Sequence, residues 1–125
     1  MLKKTLLSFI PALVWVLIIV VGSFLPSSNI PSLALSDKGI HFVFYAILAT
    51  LLYFPFRINT NRNFTFVTTC VSVLMIGFVL GSVIELIQDL FIPGRFGELL
   101  DLVANTFGLF TGLAVSEMLK RIAVL

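Results

Sequence analysis

The chain has 125 residues, of which 59% are hydrophobic and 11% charged, with a formal net charge of +2. Soluble domains carry roughly 25% charged residues, so a water-filled surround is excluded and lipid is the solvent that this composition fits. Eight basic residues against six acidic ones give too little net charge to suggest a nucleic-acid partner, and a single cysteine excludes an internal disulfide or a multi-cysteine metal site.

In chain order, Met1–Lys4 is a short basic start and Thr5 to Leu25 follows without a charge. That run exceeds the roughly 7–15 apolar residues of a signal-peptide core, so it reads as a retained span over about 5–25. Pro11 lies inside it and is expected to kink it. Pro26 to Ser36 (PSSNIPSLALS) is a loop, and Ser36 or Asp37 can cap the helix that follows. This second span covers about 37–54 and is stopped by Pro55. Arg57 to Asn63 (RINTNRN) is a short basic loop. The third span, about 64–92, is longer than a bilayer requires, so it tilts or its last turn protrudes. Pro93-Gly94 makes a turn, and the fourth span, about 98–119, ends at Lys120-Arg121.

The expected architecture is an all-α bundle of four transmembrane helices, forming one membrane domain over residues 1–125. Four spans put Lys3, Lys4, Arg57, Arg62, Lys120 and Arg121 on one side and only Lys38 and Arg95 on the other. The positive-inside rule then places both termini in the cytoplasm and the first and third loops outside.

Polar groups are expensive in such a chain, and they are not scattered. In the second span Asp37, His41 and Tyr45 recur at spacing four, with Lys38 at the edge of the same arc. Read blandly, these are a cap, a snorkelling lysine and two interfacial aromatics. The third span carries Gly77, Gly81 and Glu85 at spacing four, with Gln88 nearby. The glycines read as a packing seam. Glu85 needs a partner or a water-filled cavity, whereas Asp89 reads as solvated. In the fourth span Asp101, Asn105, Gly108 and Gly112 share about a 60° sector at 100° per residue. There Gly108 and Gly112 continue the small-residue seam, and Glu98 suits the positive end of the helix dipole. Arg95, in the turn, can hold a carboxylate or phosphate through two parallel hydrogen bonds. It can also bond internally to Asp101 or Glu85, or rest on anionic headgroups.

All these groups fall at the end of the spans away from the termini, while the other end shows only loop arginines and terminal lysines. One outward-opening polar site is therefore expected. His41 and Glu85 are its candidate proton-transfer groups. Its candidate binding residues are Asp37, Lys38, Tyr45, Gln88, Arg95, Asp101 and Asn105. With one histidine and one cysteine, no metal site is expected. There is no Gly-rich phosphate loop, nucleophile elbow or zinc-protease motif, and no motif points to a cofactor. Cys70 reads as packing, and Trp15 as lipid-facing or core.

Asp37-Lys38-x-x-His41-Phe42-x-x-Tyr45, then Glu85-x-x-Gln88-x-x-Phe91-x-Pro93-Gly94-Arg95, then Asp101-x-x-x-Asn105-x-x-Gly108 resembles the VanZ-like family of bacterial membrane proteins. The resemblance covers the second to fourth spans, in the family's order and spacing. Gly97-Glu98 departs from it, standing where the family often has hydroxyl or polar residues between the arginine and the aspartate. The resemblance implies a multi-pass protein of the bacterial cytoplasmic membrane with a cell-envelope role. The family's founding member is associated with low-level resistance to the glycopeptide antibiotic teicoplanin, and the resemblance implies no defined reaction. The expected partners are membrane lipid and a lipid-linked cell-wall precursor, with oligomers compatible. The rival expectation is a non-enzymatic assembly partner or small transporter subunit whose polar groups clasp the helices.

Overall fold

A computed structural model describes residues 2–25, 37–59 and 64–123. Among them the chain is helical: α1 (Leu2–Ser8), α2 (Ile10–Phe24), α3 (Asp37–Phe54), a π-helical turn (Pro55–Asn59), α4 (Phe66–Phe91) and α5 (Leu99–Ile122). Four helical stretches, Lys4–Phe24, Asp37–Arg57, Phe66–Phe91 and Leu99–Ile122, are long and apolar enough to cross a membrane. The proposed first loop and the Ser36 cap lie outside the described residues.

The first span is irregular at a single residue, Phe9, which keeps helical φ and ψ, so Lys4–Phe24 remains one helical stretch around Pro11. Pro11 stands in the first turn of α2, where its missing N–H costs nothing. Carried back as a regular α-helix, its ring would collide with the Leu7 carbonyl. The α-helical ladder is therefore interrupted at Phe9, whose N–H makes a tighter bond to Leu6 O at 3.2 Å. Pro55 acts similarly at the end of α3. The α-helical ladder stops at Phe54, and the chain continues into the wider π turn instead of leaving the helix.

α4 starts at Phe66 because Thr65 caps it, its hydroxyl oxygen accepting the Thr68 N–H at 3.2 Å. It ends where the Ile92 N–H reaches Gln88 O at 3.2 Å. Gly94 then takes a left-handed φ of 76°, open to glycine at no steric cost. α5 runs to Ile122, three residues beyond the sequence expectation, and Lys120 and Arg121 form its last turn, where the dipole favours them.

The centre of the bundle is the seam between α3 and α5, the most extensive helix contact in the chain. Gly108 packs its bare Cα against the Phe42 carbonyl, and Gly112 packs against the Ala46 carbonyl. Without side chains there, the two backbones come together. α4 joins the same seam, with Leu109 lying over Gly77. Tyr45, Leu48, Ala49, Tyr53, Val73 and Leu109 fill the interior. α2 stands at the edge. Its Trp15 indole N–H donates to Phe44 O at 2.9 Å, and the two rings meet edge to face at 5.4 Å. Leu13, Val67, Leu86, Leu90 and Phe107 face outward, as side chains bathed in hydrocarbon would.

The end of the bundle near the termini holds more than the expected basic residues. The Tyr53 hydroxyl, fully buried, donates to Glu117 Oε2, and Arg121 Nε reaches Glu117 Oε1 at 3.0 Å. This pair ties α3 to α5 at the far end of the seam. Tyr53→Phe removes the donor and leaves one carboxylate oxygen without it. The expected loss is about 2 kcal/mol of folding stability, the range for a bond to a charged acceptor, read from denaturant unfolding in detergent.

Candidate functional site

The opposite end collects most of the polar groups singled out from the sequence. Asp37 and His41 lie one turn apart on α3, so both reach the mouth of the α3–α5 seam. Asp101 and Asn105 do the same from α5, and both are buried. His41 Nδ1 lies 3.0 Å from Asn105 Oδ1, and His41 Nε2 lies 3.6 Å from Asp101 Oδ2. Asp101 Oδ1 accepts from Lys38 Nζ at 2.6 Å, and the same ammonium reaches Glu98 Oε2 at 2.6 Å. One lysine therefore bridges two carboxylates from the start of α5 while standing on α3.

Glu85 faces the interior from α4 and is 8% exposed. Its Oε2 accepts the Glu98 backbone N–H at 3.0 Å, while its Oε1 is buried without a hydrogen-bond partner. This contact depends on Gly97. A Cβ there would lie 2.7 Å from Glu85 O and 3.3 Å from Asp89 Cβ. The glycine lets the turn fold down onto the end of α4 and delivers the Glu98 N–H to the carboxylate. Tyr45 is 2% exposed, and its hydroxyl too is buried and unpartnered. It sits over Gly81 beside the Asn105 amide, the two lying 3.4 Å and 3.0 Å from where a Gly81 Cβ would stand. Gly81 thus leaves room for polar groups, not only for a neighbouring helix.

Two candidate residues turn elsewhere. Gln88 Nε2 donates to Ser23 O at 2.7 Å, and Arg95 Nε donates to Leu25 O at 3.2 Å. Both satisfy carbonyls at the end of α2, orphaned because the helix stops there. Of the internal bonds open to Arg95, neither Asp101 nor Glu85 is taken, and Arg95 has no ion pair among the described residues. Lys38 holds Asp101 instead. The reason is reach: Lys38 lies on α3 facing α5, whereas the turn carries Arg95 out over α2.

Glu98 is the residue whose role the sequence understated. It is the N-cap position of α5 and makes no side-chain capping bond. Its backbone serves Glu85 and its side chain serves Lys38. The only signal for it was its place between the turn and Asp101. Gly97 had a signal as well, being the second glycine within four residues of a turn that needs only one.

The result is a mouth rich in acid. Asp37, Glu85, Glu98 and Asp101 share it with one ammonium, Lys38, while Arg95 stands at the rim. His41 meets Asn105 Oδ1 through Nδ1, and its Nε2 faces Asp101 Oδ2 at a distance longer than a hydrogen bond. Such a set can bind a cationic or hydrogen-bond-donating group inside and an anionic group at the rim.

Comparison of the chain with protein-family models, with curated proteins and with solved structures finds no match.

Proposed function

We propose that this chain is a multi-pass protein of the bacterial cytoplasmic membrane, both termini cytoplasmic, whose outward polar end binds the headgroup of a lipid or lipid-linked envelope molecule. The observation that carries the reading is the convergence of α3, α4, α5 and the 92–98 turn on one polar mouth beside an arginine with no carboxylate partner among the described residues. The skew of basic residues toward the termini supports the orientation. The motif order that resembles the VanZ-like family agrees with an envelope role and makes teicoplanin susceptibility a reasonable cellular readout. In this reading the Arg95 guanidinium, still with free N–H groups beyond Nε, takes a phosphate, and the acidic mouth takes the polar remainder of the headgroup. His41 and Glu85 stand where proton transfer to such a group would occur.

A second reading has its own observation. Lys38 ties α3 to α5, Glu85 ties α4 to the turn, and Gln88 ties α4 to α2. These bonds clasp the helices whether or not a ligand enters, as an assembly partner would require.

The test is binding of a polyprenyl phosphate and of phosphatidylglycerol to the purified protein in nanodiscs, followed by native mass spectrometry in the presence of a chelator. Arg95→Ala gives up only an exposed bond to Leu25 and leaves the fold intact. Headgroup binding is expected to weaken about tenfold or more, the worth of a charge-assisted phosphate contact. Unchanged binding of both lipids would overturn the headgroup reading.

A further inference from the structure

Gly81 stands on α4 where polar groups from two other helices meet. The point that its Cβ would occupy lies 3.4 Å from the Tyr45 hydroxyl oxygen, on α3, and 3.0 Å from Asn105 Nδ2, on α5. Both residues are more than nine-tenths buried. The Asn105 amide is oriented by its other end, where Oδ1 meets His41 Nδ1 at 3.0 Å. Its NH₂ group, which can only donate, is thereby turned toward Gly81.

A second observation concerns hydrogen bonds rather than room. The Tyr45 hydroxyl and Glu85 Oε1 are each buried with no hydrogen-bond partner among the described residues. Glu85 lies one turn beyond Gly81 on the same face of α4, about 5–6 Å away between Cβ positions, and helical side chains lean back toward the N-terminus, here toward Gly81. The Glu98 N–H takes Oε2 at 3.0 Å, which leaves Oε1 as the oxygen that faces inward. Buried polar groups are almost always paired, because one left alone keeps its full desolvation cost. Here two of them stand within a turn of each other, beside an amide that donates.

The chemistry of the three groups selects the ligand. The amide donates, the phenol donates or accepts, and the carboxylate oxygen accepts. An anion would suit the donors and be repelled by Glu85. A metal cation would suit Glu85 and be repelled by the amide N–H groups. Water satisfies all three, its oxygen accepting from Asn105 and Tyr45 and its O–H donating to Glu85. We infer that one water molecule is bound inside the bundle against Gly81, between Tyr45, Glu85 and Asn105. Enclosed waters typically make about three such bonds to groups that lack other partners. This one lies a helical turn inward of His41 and Asp101, and it holds the Asn105 amide in the orientation that presents Oδ1 to His41. The inference does not rest on the headgroup reading, because it involves neither a lipid headgroup nor Arg95.

The test uses the full chain, isotope-labelled and reconstituted in phosphatidylcholine bilayers, with water itself as the probe. Solid-state NMR reads magnetisation transfer from water to the Asn105 side-chain N–H protons. Transfer is expected in the wild type and in Arg95→Ala. It is expected to be lost in Gly81→Ala, whose methyl group stands beside Nδ2 and the Tyr45 hydroxyl. Tyr45→Phe keeps the ring and its volume, so it reports even if Gly81→Ala fails to fold. It is expected to weaken the transfer and to raise the unfolding equilibrium constant in detergent about fivefold, the worth of one hydrogen bond. A tyrosine hydroxyl with nothing to bond predicts the opposite sign, since deleting it leaves that constant unchanged or lowers it. No transfer to Asn105 in the wild type, undiminished transfer in folded Gly81→Ala, or Tyr45→Phe as stable as the wild type would each overturn the inference. Arg95→Ala tests the headgroup reading and leaves this water in place, so either reading can fail alone.

Discussion

Gly108→Ala is expected to be the most damaging single methyl that can be added to this protein. A Cβ at that position runs into the Phe42 carbonyl oxygen and sits 3.0 Å from its carbon and 3.1 Å from Ala46 N. These are backbone atoms of α3, which cannot rotate aside, so the helices must part along the seam. At Gly112 a Cβ meets the Ala46 carbonyl and lies 2.8 Å from Ala49 Cβ. Overpacking costs about 1–3 kcal/mol and occasionally more. The upper end, about 3 kcal/mol, is expected for each substitution, and the double variant should not accumulate as folded protein. Gly77→Ala is the internal comparison. The obstacle there is the Leu109 side chain, at 2.5 Å, which can change rotamer for about 1 kcal/mol. Equilibrium unfolding in mixed detergent micelles separates the two. If Gly108→Ala loses no more stability than Gly77→Ala, the close α3–α5 contact is not what holds the bundle.

Lys38→Met should cost about 2 kcal/mol, and Lys38→Met/Asp101→Leu should recover most of it. The single variant leaves Asp101, whose side chain is 6% exposed, without its ammonium. Breaking a fully enclosed pair costs roughly 3–5 kcal/mol. The figure is reduced here because the Lys38 side chain is 38% exposed and water screens part of the interaction. Replacing both partners removes the stranded charge and fills the space with apolar atoms, which is why the double variant recovers. The pair also separates the two functional readings. If clasping is the whole purpose, the recovered double variant works in cells. If the mouth binds a ligand, the double variant folds and still fails, since Asp101 is gone. A double variant no more stable than the single would show that the bridge is not the source of the loss.

The helices were legible from the sequence, and so were most of their ends. α3 begins and ends at the residues read from Asp37 and Pro55, because a first-turn carboxylate and a proline act locally. The irregularity at Phe9 was legible from Pro11, because a proline acts on the helix turn immediately before it. Thr65 was missed as a cap although a threonine before an apolar run is a cap signal. Asp37, His41, Asp101 and Asn105 could be placed on helical faces by periodicity, and the structure brings those faces together. Gln88 and Arg95 share the same stretch of sequence and turn to α2 instead.

Composition and periodicity by themselves determined that four helices are long and apolar enough to cross a membrane, and the faces on which their polar groups and glycines lie. These depend on hydrophobicity and on 100° per residue, both properties of the local chain. Only the tertiary structure decided which partner each polar group takes: Lys38 for Asp101, Asn105 for His41, and a backbone N–H delivered by Gly97 for Glu85. Those choices depend on how closely two backbones approach and at what height along the seam, which residues separated by 13 to 64 positions cannot reveal.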